Sequence, residues 1–416
     1  MAAGESLAIC QTRVRKGRNS MTHYDYIVVG GGMTASAATA GIRRHDKSGT
    51  IGIFSAERYP IYSRPPLSKK LWMDERVESL WMKPDVLTLH ADEHLTTTIN
   101  SVNPGNHTVS DQYGNLYHFG KLLLATGGSP KTLPFPDIPI IYFRTLGDYF
   151  HLYQLAQTRD RFLVIGGGFI GTEIAAALNL QGKSVTVIYP EAHLVDRLFP
   201  TELKQHIDQF YRDKGVDLWN SSVLAQLEQD VQGILVRDGN GRTTHVDAVV
   251  AGIGLRPNTD LAEAAHLSVG DGIAVNEYLQ TSDPNIYAAG DVASFPYPYP
   301  GQKSRVEHED NALSQGKAAG ANMAGAHRAY SHLPFFYSDM FSMGYEAIGL
   351  LDANLEIFSD WVTFGEEGVL YYLKDRKVVG VLNWNVWDQI PQAREIIVAQ
   401  KIYGDPTTLA GTIRNR

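Results

Sequence analysis

Two stretches decide the fold: Tyr26-Ile27-Val28-Val29-Gly30-Gly31-Gly32-Met33-Thr34-Ala35, and about 135 residues later Arg161-Phe162-Leu163-Val164-Ile165-Gly166-Gly167-Gly168-Phe169-Ile170-Gly171. Each opens on a short apolar run rich in β-branched residues, the pattern of a strand buried on both faces. Each then turns through glycines into a small-residue helix, predicted over 34–42 in the first case and 172–181 in the second. The next strands are expected at Ile51–Phe54 and Ser184–Ile188. Each stretch is therefore a βαβ unit, and their separation suits two nucleotide-binding domains better than a repeat of roughly 20–50 residues.

Working outward, the glycines carry chemistry. Gly30-x-Gly32-x-x-Ala35 and Gly166-x-Gly168-x-x-Gly171 let the backbone approach a pyrophosphate, which the helix N-terminus attracts. One such fingerprint is weak and could be a tight turn without a ligand; two in strand–turn–helix context are much stronger. An acid at the end of the following strand is expected to hold ribose hydroxyls. After the second fingerprint that acid is Glu191, which would accept from a 2′-hydroxyl, repel a 2′-phosphate and favour NADH over NADPH. After the first it is Glu57, preceded by Ala56, a weaker match. Two facing dinucleotide sites imply a hydride relay between a nicotinamide and a flavin, which predicts FAD and NADH as cofactors.

Further strands are expected at Lys121–Thr126, ending in Gly127-Gly128, at Asp247–Gly254 before the turn Leu255–Asn258, and at Ile286–Ala289 before Gly290-Asp291. The Gly290-Asp291 turn fits the ribityl chain or pyrophosphate of FAD, or a simple helix cap. Beyond residue 330 aromatics accumulate. Gly368–Trp384 reads as an antiparallel hairpin turning at Asp375-Arg376, and Gln392–Gln400 as a helix. The expected fold class is α/β: two doubly wound Rossmann-like nucleotide-binding domains plus a C-terminal α+β domain with an antiparallel sheet. The expected division is an extension over 1–22, an FAD domain over 23–155 and 281–330, an NADH domain over 156–280, and a C-terminal domain over 331–416.

Composition bounds the rest. The 416 residues are too many for one compact core. Apolar residues make up 44% and charged residues 20%, ordinary for a globular protein, and no apolar run approaches the roughly 18 residues of a membrane span. A net charge of −8 argues against a duty on DNA. Cys10 is the single cysteine, so an internal disulfide, a C-x-x-C redox pair and a cysteine metal cluster are excluded, and no metal is expected. Residues 1–22 hold Arg13, Arg15, Lys16 and Arg18 against one acid, Glu5. That stretch reads either as an extension ahead of a start at Met21 in a cytoplasmic protein or as a mitochondrial targeting segment.

With these pieces the chain, from about Tyr24 to Ile413, resembles the FAD-dependent pyridine nucleotide oxidoreductases, glutathione-reductase-like in fold, and most of all the apoptosis-inducing factor family. The resemblance is carried by Tyr62-Ser63-Arg64-Pro65-Pro66-Leu67-Ser68-Lys69, the second fingerprint, Arg305-Val306-Glu307-His308-Glu309-Asp310, Tyr345–Gly349 and Lys377–Asn385. Ferredoxin and rubredoxin reductases share the first two. The resemblance implies that FAD is held by Gly30, Gly31, Gly32, Met33, Thr34, Glu57, Arg64, Lys69, Gly127, Arg144, Asp291, His308, Glu309 and Tyr337. It implies that NAD is held by Gly167, Gly168, Phe169, Ile170, Glu173, Glu191, Gly254, Glu307 and Glu346. Lys69 paired with Glu173, together with His308 and Tyr337, would form the catalytic group, the lysine stabilising charge on the reduced ring.

Two departures from the family stand out. Tyr337 replaces the usual tryptophan that shields the flavin, and Asp352–Gly365 is too short for the long insertion of the animal proteins. Three functions are expected, in descending order. The first is an NADH oxidoreductase whose reduced flavin–NAD charge-transfer complex controls dimerisation or partner binding. The second is an NADH-dependent reductase of a ferredoxin or rubredoxin, and the third a redox-gated scaffold. NADH is the donor, and oxygen, a quinone or an iron–sulfur protein the acceptor.

Overall fold

The structure is a computed structural model that describes residues 21–73, 75–82, 89–297 and 303–413. The basic segment before Met21 and its Cys10 lie outside the described residues.

The first fingerprint strand, Thr22–Val29, sits in a seven-stranded sheet between Ile51–Phe54 and Leu116–Leu124, parallel to both. Both sides of its C-terminal half are covered, and Ile27 and Val28 are fully buried. Ile286–Ala288 returns from far along the chain to pair in parallel with Leu122–Leu124. The fingerprint helix, Met33–His45, is crossed closely by a helix over Glu309–Met323. Small residues allow this approach: a Cβ on Gly316 would lie 2.4 Å from the Thr34 carbonyl, and one on Gly320 would lie 2.0 Å from that of Ala38. The second helix begins at His308 and Glu309, and Glu309 accepts from Ser63 and Tyr337.

The second sheet is parallel throughout, in the order Asp217–Trp219, Ser184–Ile188, Arg161–Ile165, Ala248–Ala251, Ile140–Tyr142. It therefore takes one strand from ahead of residue 156. The fingerprint helix here runs Phe169–Leu180, three residues earlier than the sequence predicts, because Gly168 rather than Gly171 is the N-cap. A three-stranded antiparallel flap over Leu224–Val246 extends this unit. The chain passes between the two units along a two-stranded ribbon, Gly128–Pro130 antiparallel to Leu255–Pro257.

The C-terminal region is a five-stranded antiparallel sheet in the order Phe335–Met340, Met343–Gly349, Lys377–Trp384, Glu367–Lys374, Glu356–Thr363. Asp375 and Arg376 both adopt positive φ (52° and 62°) between paired Lys374 and Lys377, which is the two-residue hairpin expected there. The tail helix runs Ile390–Val398 and packs on one face of the sheet. The other face shares a core with the second nucleotide unit. Phe199 meets Tyr345 and Trp384 edge-on at 5.3 and 6.0 Å, and the Tyr372 hydroxyl donates to the Leu198 carbonyl at 2.8 Å.

Candidate flavin and nicotinamide site

Both glycine turns are shaped for a close ligand. Gly30 (φ 127°) and Gly166 (φ 112°) occupy backbone conformations that disfavour a side chain, and a Cβ on either would strike a backbone carbonyl, Ala125 at 2.1 Å and Gly252 at 2.5 Å. Gly31 and Gly167 pack against Ser55 and the Tyr189 ring, while a Cβ added to Gly171 would lie only 1.8 Å from the Gly166 carbonyl oxygen. Gly32 and Gly168 differ: an added Cβ would meet nothing within 4 Å. Each of these two is the N-cap of its helix and supplies no side-chain cap, so the first N–H groups are turned toward open space. That cradle fits a pyrophosphate at each turn.

Around the first turn the polar residues form a line. The Arg64 guanidinium pairs with Glu57 and donates to the Arg144 carbonyl at 3.2 Å. Arg144 pairs with Asp291 at 2.6 Å, beside Gly127. The Arg64 backbone N–H reaches the Met33 sulfur at 3.4 Å, and a Cβ on Gly290 would meet the Thr34 hydroxyl oxygen at 2.3 Å. Glu57 also accepts from the Tyr62 hydroxyl at 2.6 Å, so its carboxylate is engaged by protein donors.

A second group lies where four segments converge. Lys69 Nζ is 3.0 Å from Glu173 Oε1, and both side chains are under 10% exposed. The ammonium stands over the Tyr337 ring, 4.7 Å from its centroid. The Tyr337 hydroxyl donates to Glu309 Oε2 at 3.2 Å, and Ser63 to Oε1 at 3.5 Å. Burial pushes the Tyr337 phenol upward, and the Glu309 charge adds to it. Burial likewise raises the Glu309 carboxyl, against the pull of Tyr337 and Lys69. Two residues that sequence reasoning does not single out complete this group: Ser68 donates to Glu173 Oε2 at 2.5 Å and Ser338 to Oε1 at 2.6 Å. Their only signal is adjacency, since each follows or precedes a residue already implicated.

A third group is aromatic. Phe169, from the second glycine turn, packs on Phe336 at 5.4 Å, which packs on His308 at 4.5 Å. In the sequence Phe336 reads only as part of an aromatic-rich region. His308 Nδ1 is buried with no hydrogen-bond partner among the described residues, and burial holds its imidazole down at about 4 despite Asp291 and Asp310.

Other expected residues stand apart from these groups. Glu191 follows the strand Ser184–Ile188, with Arg197 at 3.8 Å. Ile170 is exposed and lies against Gly252. Gly254 (φ 90°) begins the return into the ribbon. Glu307 is exposed and paired with Arg305, which also donates to the Asp291 carbonyl. Glu346 lies opposite Tyr337 in the sheet register and receives the backbone N–H groups of Asp388 and Gln389 at the start of the tail helix. Burial, then Asp388, raises its carboxyl.

A family model described as pyridine nucleotide-disulphide oxidoreductase matches residues 24–316. The chain belongs to that family. A second model, the C-terminal part of mitochondrion-associated apoptosis-inducing factor, matches 319–367 and 360–399. The chain is 31% identical to apoptosis-inducing factor 1 of Dictyostelium discoideum, over 94% of this chain and 81% of that one. It is also 31% identical to the ferredoxin–NAD(+) reductase component of the anthranilate 1,2-dioxygenase system of Burkholderia cepacia, over 92% and 96%. Putidaredoxin reductase, solved in covalent complex with putidaredoxin, superposes with a TM-score of 0.85 at 29% identity, over 92% of this chain and 94% of that one. As a pyridine nucleotide oxidoreductase, this protein is an FAD-dependent enzyme that uses NAD(H). With Cys10 as the single cysteine of the sequence, the chain has no cysteine pair for an internal disulphide. Among the described residues no helix is long and apolar enough to cross a membrane.

Proposed function

We propose that this pyridine nucleotide oxidoreductase takes electrons from NADH in the manner of the apoptosis-inducing factor relatives, and that its reduced flavin–NAD charge-transfer complex governs dimerisation or partner binding. The observation that carries the proposal is the convergence of Lys69, Glu173, Tyr337 and Glu309 from distant segments beside the Phe169–Phe336–His308 stack. When bound, FAD accepts a hydride from the nicotinamide. The chain's own part is to place and shield. The first turn and the Arg64–Arg144–Asp291 line hold the flavin nucleotide, and the second turn and Glu191 hold the nicotinamide nucleotide. The aromatic stack excludes water from the nicotinamide side, and Lys69 presents a cation at the flavin edge. In this reading residues 23–155 and 281–330 serve FAD, 156–280 serve NADH together with the strand Ile140–Tyr142, and 331–416 cover the flavin.

The reductase of an iron–sulfur protein is the competing reading, and it would be served by a basic docking face. Asp339 and Glu309 instead act on Tyr337, Asp388 lies against Glu346 on the neighbouring strand, and the exposed Trp387 packs at Gly344 beside Asp339, a poor complement to an acidic partner. An anaerobic titration with NADH followed by air decides between the two. A broad absorbance band beyond about 600 nm (a property of the cofactor pair) that decays slowly in air is expected. Bleaching without that band, reversed quickly by an added ferredoxin, would support the reductase, and no bleaching at all would overturn both. The compartment is tested separately: a reporter fused behind residues 1–22 is expected to stay cytoplasmic, and mitochondrial import would make the segment a targeting signal.

A further inference from the structure

We propose that Ser68 and Ser338 are positioning residues that orient the Glu173 carboxylate, and through it set the Lys69 ammonium at the flavin edge. The inference rests on the reading of this pocket as the flavin and nicotinamide site.

Glu173 is 3% exposed, and Ser68 and Ser338 are 4% and 1% exposed. A buried carboxylate needs donors at both oxygens, or the uncovered one carries the full cost of desolvation. Here Oε1 takes Lys69 and Ser338 while Oε2 takes Ser68. The donors come from different elements: Ser68 and Lys69 from the turn beginning at Pro65, and Ser338 from the strand Phe335–Met340. Glu173 itself belongs to the second fingerprint helix. Each serine is the chain neighbour of a residue that faces the flavin position, Ser68 of Lys69 and Ser338 of Tyr337, so backbone and carboxylate are fixed together.

The physical consequence concerns Lys69. Among the described residues its ion-pair partner is Glu173, and it also stands over the Tyr337 ring. Two hydroxyl dipoles directed at the carboxylate offset part of its charge and stop it rotating about its Cγ–Cδ bond. The ammonium is then held at one oxygen, near Tyr337, and its field reaches the ring beyond. Removing the Ser68 hydroxyl leaves Oε2 without a donor, and removing that of Ser338 leaves Oε1 to Lys69 alone; in either case the carboxylate draws the ammonium closer, and the field at the flavin falls. A weaker cation there makes the reduced ring less stable and the midpoint potential more negative. NADH affinity, set at the glycine turn and Glu191, should change little.

The test uses the purified holoenzyme with Ser338→Ala, Ser68→Ala and Ser338→Thr. Three quantities are measured: the flavin midpoint potential by dye-coupled titration, the stopped-flow rate of flavin bleaching by NADH, and the melting temperature of the flavin-free chain. Each alanine variant is expected to show a more negative potential and a bleaching rate lower by about tenfold, the size of one lost hydrogen bond to a charged group. The NADH concentration for half-saturation should move by less than about threefold. The flavin-free alanine variants should melt below wild type, and Ser338→Thr should recover potential and rate. Wild-type potential and rate in both alanine variants would overturn the proposal. Should Ser338→Ala fail to retain flavin, Ser68→Ala decides alone by the same two readouts. If wild type is not bleached by NADH, it is the underlying reading of the site that fails.

Discussion

At the residue scale, identical residues in one motif have opposite jobs. Gly168→Ala adds a methyl group where the protein leaves open space, whereas Gly171→Ala drives one into the Gly166 carbonyl. The first variant should keep wild-type stability and flavin content while NADH binding weakens by at least about tenfold, because the methyl occupies the pyrophosphate's approach. The second should lose about 2 kcal/mol or more of stability through overpacking. Flavin absorbance, thermal melting and NADH titration of the pair separate the two effects. His308 makes a pH prediction. An unfolded chain protonates this imidazole near 6.5, whereas the folded one resists until about 4. Unfolded protein therefore binds more protons in that window, and the stability is fully present above pH 6.5 and is lost as pH falls toward 4. Glu309 works with the opposite sign, since its raised carboxyl favours the folded state as it protonates. Chemical denaturation of wild type and His308→Asn from about pH 7 to pH 4 should show wild type losing on the order of 2 kcal/mol more than the variant. The fingerprints are legible because a pyrophosphate demands glycines at fixed spacings, whereas Lys69, Glu173 and His308 are singled out only through the resemblance of their stretches to a known family. Ser68, Ser338 and Phe336 are not. A serine or phenylalanine is compatible with so many environments that only its partner in space, 105 or 165 residues away for the two serines, shows its use.

At the scale of the element, local sequence is decisive where one position needs an unusual backbone. Asp375 and Arg376 both sit at positive φ, a conformation that costs side chains with a Cβ and suits an asparagine followed by glycine. The double substitution Asp375→Asn with Arg376→Gly should raise stability by about 0.5–1 kcal/mol without changing flavin content, and a lower melting temperature would show that the native side chains pack usefully at the tip. Helix limits are less legible. The predicted start of Phe169–Leu180 falls three residues late because glycine in a turn and glycine in a helix look the same in sequence. Gly171 is helical, retained for its approach to Gly166 rather than for a turn. The strand Ile140–Tyr142 escapes a sequence reading for another reason: three residues, Ile-Ile-Tyr, carry too little periodicity to register, and pairing with Ala248–Ala251 is what extends them.

At the scale of the whole molecule, the two βαβ units and the C-terminal hairpin are readable, but their mutual burial is not, since it depends on contacts between distant parts of the chain. One apolar core takes residues from Tyr62 to Trp384 and joins the nicotinamide unit to one face of the C-terminal sheet. A chain ending after residue 330 should retain both glycine turns yet expose Leu198, Phe199 and Tyr211, which meet Tyr372, Tyr345 and Phe341. Light scattering and gel filtration of that truncation should show aggregation, and a soluble monomer that binds NAD(H) would show the units to be independent. This shared core also bears on the protein's birth. The ribosome releases the nicotinamide unit about a hundred residues before the strands that cover it, an interval of seconds at ordinary rates of synthesis. During that interval the apolar face of a finished-looking nucleotide fold has nothing of its own to lie against. The nascent chain thus carries an uncovered apolar face until the strands of its C-terminal sheet are made.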